Sequence, residues 1–168
     1  QQTSSLVEQT VTSLSAMTAP WLNGDWSADN RTFELLLSDV RAGDGGELLL
    51  ATSQLVWALE GANALLTKTQ SERPLCPFGQ PTERSRALKR VVQQFFVTNV
   101  QPWVVSLRRR AELIHEPTQR LETLLVSSIT QPYRHWMAAR DALLSQLTQM
   151  TRQHVQAVQA TLASCQQD

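Results

Sequence analysis

Two cysteines, one tyrosine and six glycines in 168 residues leave little room for a disulfide-rich scaffold or a glycine-built loop protein. No apolar run approaches the ~18 residues that a membrane-spanning helix needs, and no signal-peptide core is visible. Fifteen basic and fifteen acidic residues cancel, so the chain has no general field toward nucleic acid or an anionic membrane. HExxH, GxSxG, SxxK, P-loop and GxGxxG patterns are all missing, and the two cysteines have no zinc-ligand spacing. No alternating apolar run flanks a tight-turn pair, so hairpins are not expected.

What remains is helical. A hydrophobic fraction of 42% and a charged fraction of 18% describe a packed domain, and the length predicts a single helical domain over residues 1–168. The fold class is all-α, a bundle of about six helices with a long C-terminal one. Val7, Val11, Leu14 and Met17 share a face of a first helix that ends near Pro20 and Trp21. The turn-rich segment 22–30 is a loop whose tryptophans, Trp21 and Trp26, fold back onto the core. Phe33, Leu36, Leu37 and Val40 line a short second helix, which Gly43–Gly46 breaks.

The stretch from Gly46 to Pro102 is the unit around which the rest is arranged. Asp44 and Glu47 read as a capping box for a helix that is apolar nearly all round, which predicts burial from several sides. Gly61 in its interior costs about 1 kcal/mol relative to Ala, and a close helix crossing is the simplest reason to keep it. Trp57, Trp103 and Trp136 fall on apolar stripes and are assigned to the core. A proline-rich loop over 69–82 holds Cys76, and Thr82 is the N-cap of the next helix. That helix turns Leu88, Val91, Val92, Phe95 and Phe96 inward and Arg84, Arg86, Lys89 and Arg90 outward. Pro102 is expected to end it near Val100. Pro117 opens a further helix through Leu121, Leu124, Leu125 and Ile129, and Pro132 opens the longest, which runs to about Cys165.

The cysteines admit two readings. Oxidised, Cys76 and Cys165 would tie the last helix to the central loop and stabilise the fold by about 4 to 5 kcal/mol; otherwise they are two buried thiols. A chain that begins at Gln1 without Met fits either trimming or removal of an export signal. His115, His135 and His154 are scattered and form no ligand pattern, so no catalytic residue, no metal and no cofactor is assigned. The chain is read as a non-enzyme, and a cleft joining one of these histidines to a carboxylate would reopen that reading.

Charge is unevenly distributed. Up to residue 70, eight acids face three bases, and the remainder carries the opposite excess. The basic cluster Arg84, Arg86, Lys89, Arg90 and Arg108 to Arg110 is a solvated face meeting the acidic half, a protein-binding face, or a phosphate site. Asn30-Arg31-Thr32 matches a glycosylation sequon, meaningful only in a eukaryotic secretory pathway.

Trp57 to Gly61 followed by Ala62 and Leu65, then Leu75-Cys76-Pro77, then Val91 to Phe96 and Gln101-Pro102, resembles the Rap/Tai family of small periplasmic immunity proteins. The similarity covers residues 46 to 132. It departs from the family in lacking the first-helix cysteine and in replacing the terminal Phe-Pro-Cys with Gln131-Pro132-Tyr133. The resemblance implies a periplasmic protein that binds and inhibits a secreted effector by covering its active site. Contact candidates are Trp21 and Trp26, with Phe78 and Gln80 in the cysteine loop and Arg84, Arg86 and Arg90 beyond it. The expected partner is therefore another protein, met in the periplasm or outside the cell. Two alternatives stand beside it. A pilotin-like or chaperone-like assembly factor of a secretion system would show an exposed apolar groove rather than a charged rim, and a secreted helical signalling protein would carry glycan at Asn30.

Overall fold

The computed structural model describes residues 2–27 and 29–165, with side chains from Leu6 onward. All regular structure among these residues is helical: α1 (Gln2–Trp21), α2 (Asn30–Ala42), α3 (Gly45–Glu72), α4 (Glu83–Val91), α5 (Gln101–Leu124) and α6 (Gln131–Ala163). A one-turn 3-10 helix (Pro77–Gly79) precedes α4, and a π-helical segment (Val92–Val100) joins α4 to α5. No described helix is long and apolar enough to cross a membrane. The chain packs as two compact units, one of residues 1–49 and 108–140, the other of residues 50–107 and 141–168.

In the first unit, α1 buries Thr10, Val11, Leu14 and Thr18, which recur along one face. Trp21 closes the helix, and Gly24 at φ +82° lets the chain turn back so that the Asn23 and Asp25 amides both donate to the Pro20 carbonyl. Asp29 then caps α2 by accepting from the Arg31 amide. Two ion pairs join the acidic N-terminal half to the basic half, Asp44 with Arg110 and Glu8 with Arg120. The charge asymmetry is therefore in part internal complementarity. Asp44 also accepts the Leu48 amide at its backbone carbonyl, at the start of α3.

In the second unit the core is built from Thr52, Leu55, Val56 and Leu59 of α3, Phe96, Val104 and Leu107 of the π segment and α5, and Leu147, Val158 and Thr161 of α6. Gln70 donates to the Thr161 hydroxyl at 2.6 Å. A disulfide between Cys76 and Cys165, with Cα atoms 5.1 Å apart, closes 89 residues of chain. Of the two readings of the cysteines, the oxidised one is correct. Thr82 caps α4 by a reciprocal exchange with Ser85, while its hydroxyl donates to the Leu75 carbonyl beside the disulfide.

Several expectations are corrected. Pro102 does not end the helix. The turns before it widen so that Gln101 bonds five residues back to the Phe96 carbonyl, and the Thr98 and Asn99 side chains each bond a carbonyl five residues back. Widening takes the carbonyl four residues behind out of the path of the proline ring. Pro117 is buried inside α5 rather than at the start of a helix. The loop expected from residue 69 is shorter, because α3 runs to Glu72.

The tryptophan assignments change as well. Trp57, Trp103 and Trp136 are not core residues: they are 77%, 44% and 45% exposed. Helix α3 is buried on one side only, and nothing stands within 4 Å of a Cβ built on Gly61, so no close crossing explains that glycine. Of the five residues turned inward in the α4 and π region, Phe96 is buried whereas Val91 and Phe95 are exposed. The π register, not the 3.6-residue period, sets which phenylalanine faces the core.

Candidate functional site

An apolar pocket of about 570 Å³ lies in the first unit, where α1 runs into its loop. Leu14, Thr18 and Trp21 form its floor from α1. Phe33 and Leu37 of α2 make one wall, with the Phe33 ring edge-on to Trp21 at 5.3 Å between centroids. Leu121 and Leu125 form the opposite wall, and the hydroxyl-bearing Ser127 and Ser128 lie in the turn after α5. Leu22 and Trp26 complete the lining, with Trp26 75% exposed.

Local sequence explains the arrangement. The turn at Gly24 reverses the chain immediately after Trp21, so Trp26 returns beside the helix it has just left. Asp25 holds that return by accepting from the Ser27 amide at 3.0 Å and the Ser27 hydroxyl at 2.6 Å. The hydroxyl bond, more than the amide bond, pulls the Asp25 carboxyl below the usual carboxylate range. Asp29, bonded by the Thr32 side chain and backbone, is lowered in the same way. Both loop ends are thus pinned by anionic caps. The expectation that Trp26 folds into the core is corrected, because its ring stays at the rim.

The pocket's lining is apolar and aromatic with a few hydroxyls. Its size lies in the range of ligand pockets. Thr18 spends its hydroxyl on the Leu14 carbonyl at 2.8 Å, leaving no strong acid, base or nucleophile on the lining. Among the described residues no group of three histidine, cysteine or acidic side chains could hold a metal ion.

The first unit also holds a polar cluster in which Glu122 and Arg140 are buried. Glu122 takes two hydrogen bonds from Arg140 and a third from the Tyr133 hydroxyl at 3.0 Å. The Arg140 guanidinium also stands 5.1 Å from the centroid of the Trp136 ring. Burial first, and the Glu122 bond second, push the Tyr133 phenol up to about 12. This cluster ties the end of α5, which carries Leu121, to the start of α6.

The remaining candidates lie in the other unit. Phe78 is 98% exposed at φ 58°, between the disulfide and the cap of α4. An aromatic side chain rarely adopts this left-handed backbone, and here it holds the ring away from the fold. Gln80 follows it, exposed, and bonds its amide to the Pro77 carbonyl. Arg86 and Arg90 pair with Glu83 in the first turn of α4 rather than with the acidic half, and Arg84 is exposed on the same helix. His154 faces the Asn63 amide oxygen at 2.8 Å and lies tilted against Phe96, 4.6 Å between ring centroids; burial lowers its pKa. His135 meets Gln131. The structure thus brings Trp21 and Trp26 together in one pocket and sets Phe78, Gln80 and the arginines elsewhere. Phe33, Leu37, Leu121 and Leu125 were missed as site residues because each reads as an ordinary helix stripe.

No curated protein and no solved structure matches the chain. A family model described as a protein of unknown function (DUF3080) matches residues 1–168, and the chain belongs to that family.

Proposed function

We propose that this is a non-catalytic protein-binding protein of an oxidising compartment, periplasmic or extracellular, which holds an apolar segment of another protein in the pocket of its first unit. The observation that carries the reading is the 570 Å³ apolar pocket with Trp26 exposed at its rim. An exposed apolar pocket favours the assembly-factor or chaperone-like class, whose partners present apolar side chains from an amphipathic helix. The disulfide supports the compartment, since such bonds persist where thiols are not kept reduced.

A second reading rests on Phe78. An aromatic ring 98% exposed on a disulfide-anchored loop suits insertion into a partner's cleft, as an immunity protein covering an effector's active site requires. One experiment separates the two. An amphipathic peptide patterned with Leu and Lys is titrated against the protein and against Leu37→Asp, Leu125→Asp and Phe78→Ala variants. The pocket reading expects saturable binding weakened about tenfold or more by either Asp substitution and unchanged by Phe78→Ala. Equal binding by the Leu37→Asp and Leu125→Asp variants overturns it.

A further inference from the structure

The pocket of the first unit is apolar inside, but its surroundings are not neutral. Four charged residues stand next in the chain to residues that line it: Asp25 before Trp26, Glu34 after Phe33, and Arg120 and Glu122 on either side of Leu121. The last two are committed, Arg120 to Glu8 and Glu116, and buried Glu122 to Arg140. Asp25 and Glu34 are exposed and meet no cation among the described residues. On α2, Glu34 lies about 60° around the helix from Leu37, whereas Arg31 falls about 160° from Phe33, on the far side. Arg41 stands one turn beyond Leu37, away from the loop, and Asp29 caps the helix at the loop itself. The end of the pocket beside the α1–α2 loop is therefore anionic.

Asp25 is the carboxylate with capacity to spare. Its Oδ1 accepts both bonds from Ser27, so the side chain reaches past Trp26 while Oδ2 takes neither. Asp29 spends both oxygens, one on the Arg31 amide and one on the Thr32 hydroxyl. The Ser27 hydroxyl lowers the Asp25 pKa, so the carboxylate stays ionised at neutral and mildly acid pH. Next to it the Trp26 indole, 75% exposed, offers a ring face at the rim. Carboxylate and indole both attract an ammonium or guanidinium, one by charge and one by its ring quadrupole. An acidic segment is repelled by the first and gains nothing from the second. We infer that the segment seated in the pocket carries a lysine or arginine beside its apolar residues, held at the rim by the Asp25 carboxylate and the Trp26 ring, with Glu34 adding to the field. The inference rests on the reading of the pocket as the seat of an amphipathic segment, and it fixes the sign of that segment's charge.

Two amphipathic peptides test it. They share one leucine pattern, and one carries Lys and the other Glu at every polar position. Both are titrated calorimetrically against the 168-residue chain, with circular dichroism as the folding control for each variant. At low ionic strength the Lys peptide is expected to bind about tenfold more tightly, a preference that shrinks in about 0.5 M salt. Asp25→Asn keeps an acceptor for Ser27, so the loop is retained. It is expected to weaken the Lys peptide about threefold to fivefold and to flatten its salt dependence. Trp26→Leu keeps apolar bulk and is expected to weaken the Lys peptide about threefold more than the Glu peptide. Glu34→Lys, on an exposed helix surface, is expected to bring the two affinities together. Equal affinities for the two peptides, each lost in Leu37→Asp, overturn the inference and leave the pocket reading standing. An Asp25→Asn variant that binds the Lys peptide as tightly as the parent does the same. Failure of both peptides to bind, or binding that Leu37→Asp does not weaken, overturns the pocket reading and the inference together.

Discussion

Arg140 and Glu122 form a bidentate ion pair, with bonds of 2.6 and 2.8 Å and both side chains 6% exposed. Two charges taken out of water in this way hold each other in place without adding much net stability. Removing one leaves the other buried and uncompensated, at a cost of about 3 to 5 kcal/mol. Glu122→Ala and Arg140→Ala are each expected to lose that amount in urea unfolding. The double variant Glu122→Leu, Arg140→Met replaces the pair with apolar volume and is expected to stay within about 1 kcal/mol of the wild type. Single variants as stable as the parent would show that the pair is solvated.

Tyr133 is the only tyrosine in the chain, so its ionisation is read directly from phenolate absorbance. Its pKa is raised to about 12 by burial and by its bond to Glu122. The folded pKa lies above the unfolded value, near 10. The stabilising contribution is therefore complete below pH 10 and is lost as pH rises toward 12. The native protein should titrate near 12 and the urea-unfolded protein near 10. A native midpoint near 10 would place the phenol in water.

His154 follows the opposite course. Burial lowers its pKa, so the fold prefers the neutral ring against Asn63 and Phe96. Its contribution is complete above the unfolded value near 6.5 and declines as pH falls below it, because the unfolded chain binds the proton more readily. Between pH 7 and pH 5 the melting temperature of the wild type should fall further than that of His154→Gln. Parallel curves would refute a buried neutral ring.

Phe78 stands at φ 58° with its ring 98% exposed, so it buries almost nothing and adopts a backbone that glycine takes freely. Phe78→Gly is expected to raise unfolding stability by about 1 kcal/mol, the cost of holding a side chain in that region. A loss of stability would mean that the ring packs on the loop after all.

The pattern of helices was legible in the sequence because it is local. Thr82 could be named as an N-cap from its place before a basic amphipathic run, and Trp21 as the end of α1 from the proline and glycine around it. The two cysteines could be matched because only one pair exists. Gly61 and Pro102 were misread for a common reason: each has a usual role, helix crossing or helix breaking, and which role applies depends on what lies across from it. The widened turns before Pro102 cost little only because Phe96 finds a place in the core against His154.

The pocket belongs to the tertiary structure alone. Leu14, Phe33, Leu37 and Leu121 come from α1, α2 and α5, and Leu125 from the turn after α5; a stripe of leucines has the same period whether it meets a neighbour or an empty space. Hydrophobic periodicity determines that a helix has a face to bury. What covers that face, the core, a ligand or a second chain, is decided by packing among distant segments, and for that reason α3, apolar all round in the sequence, is covered on one side within its unit and open on the other.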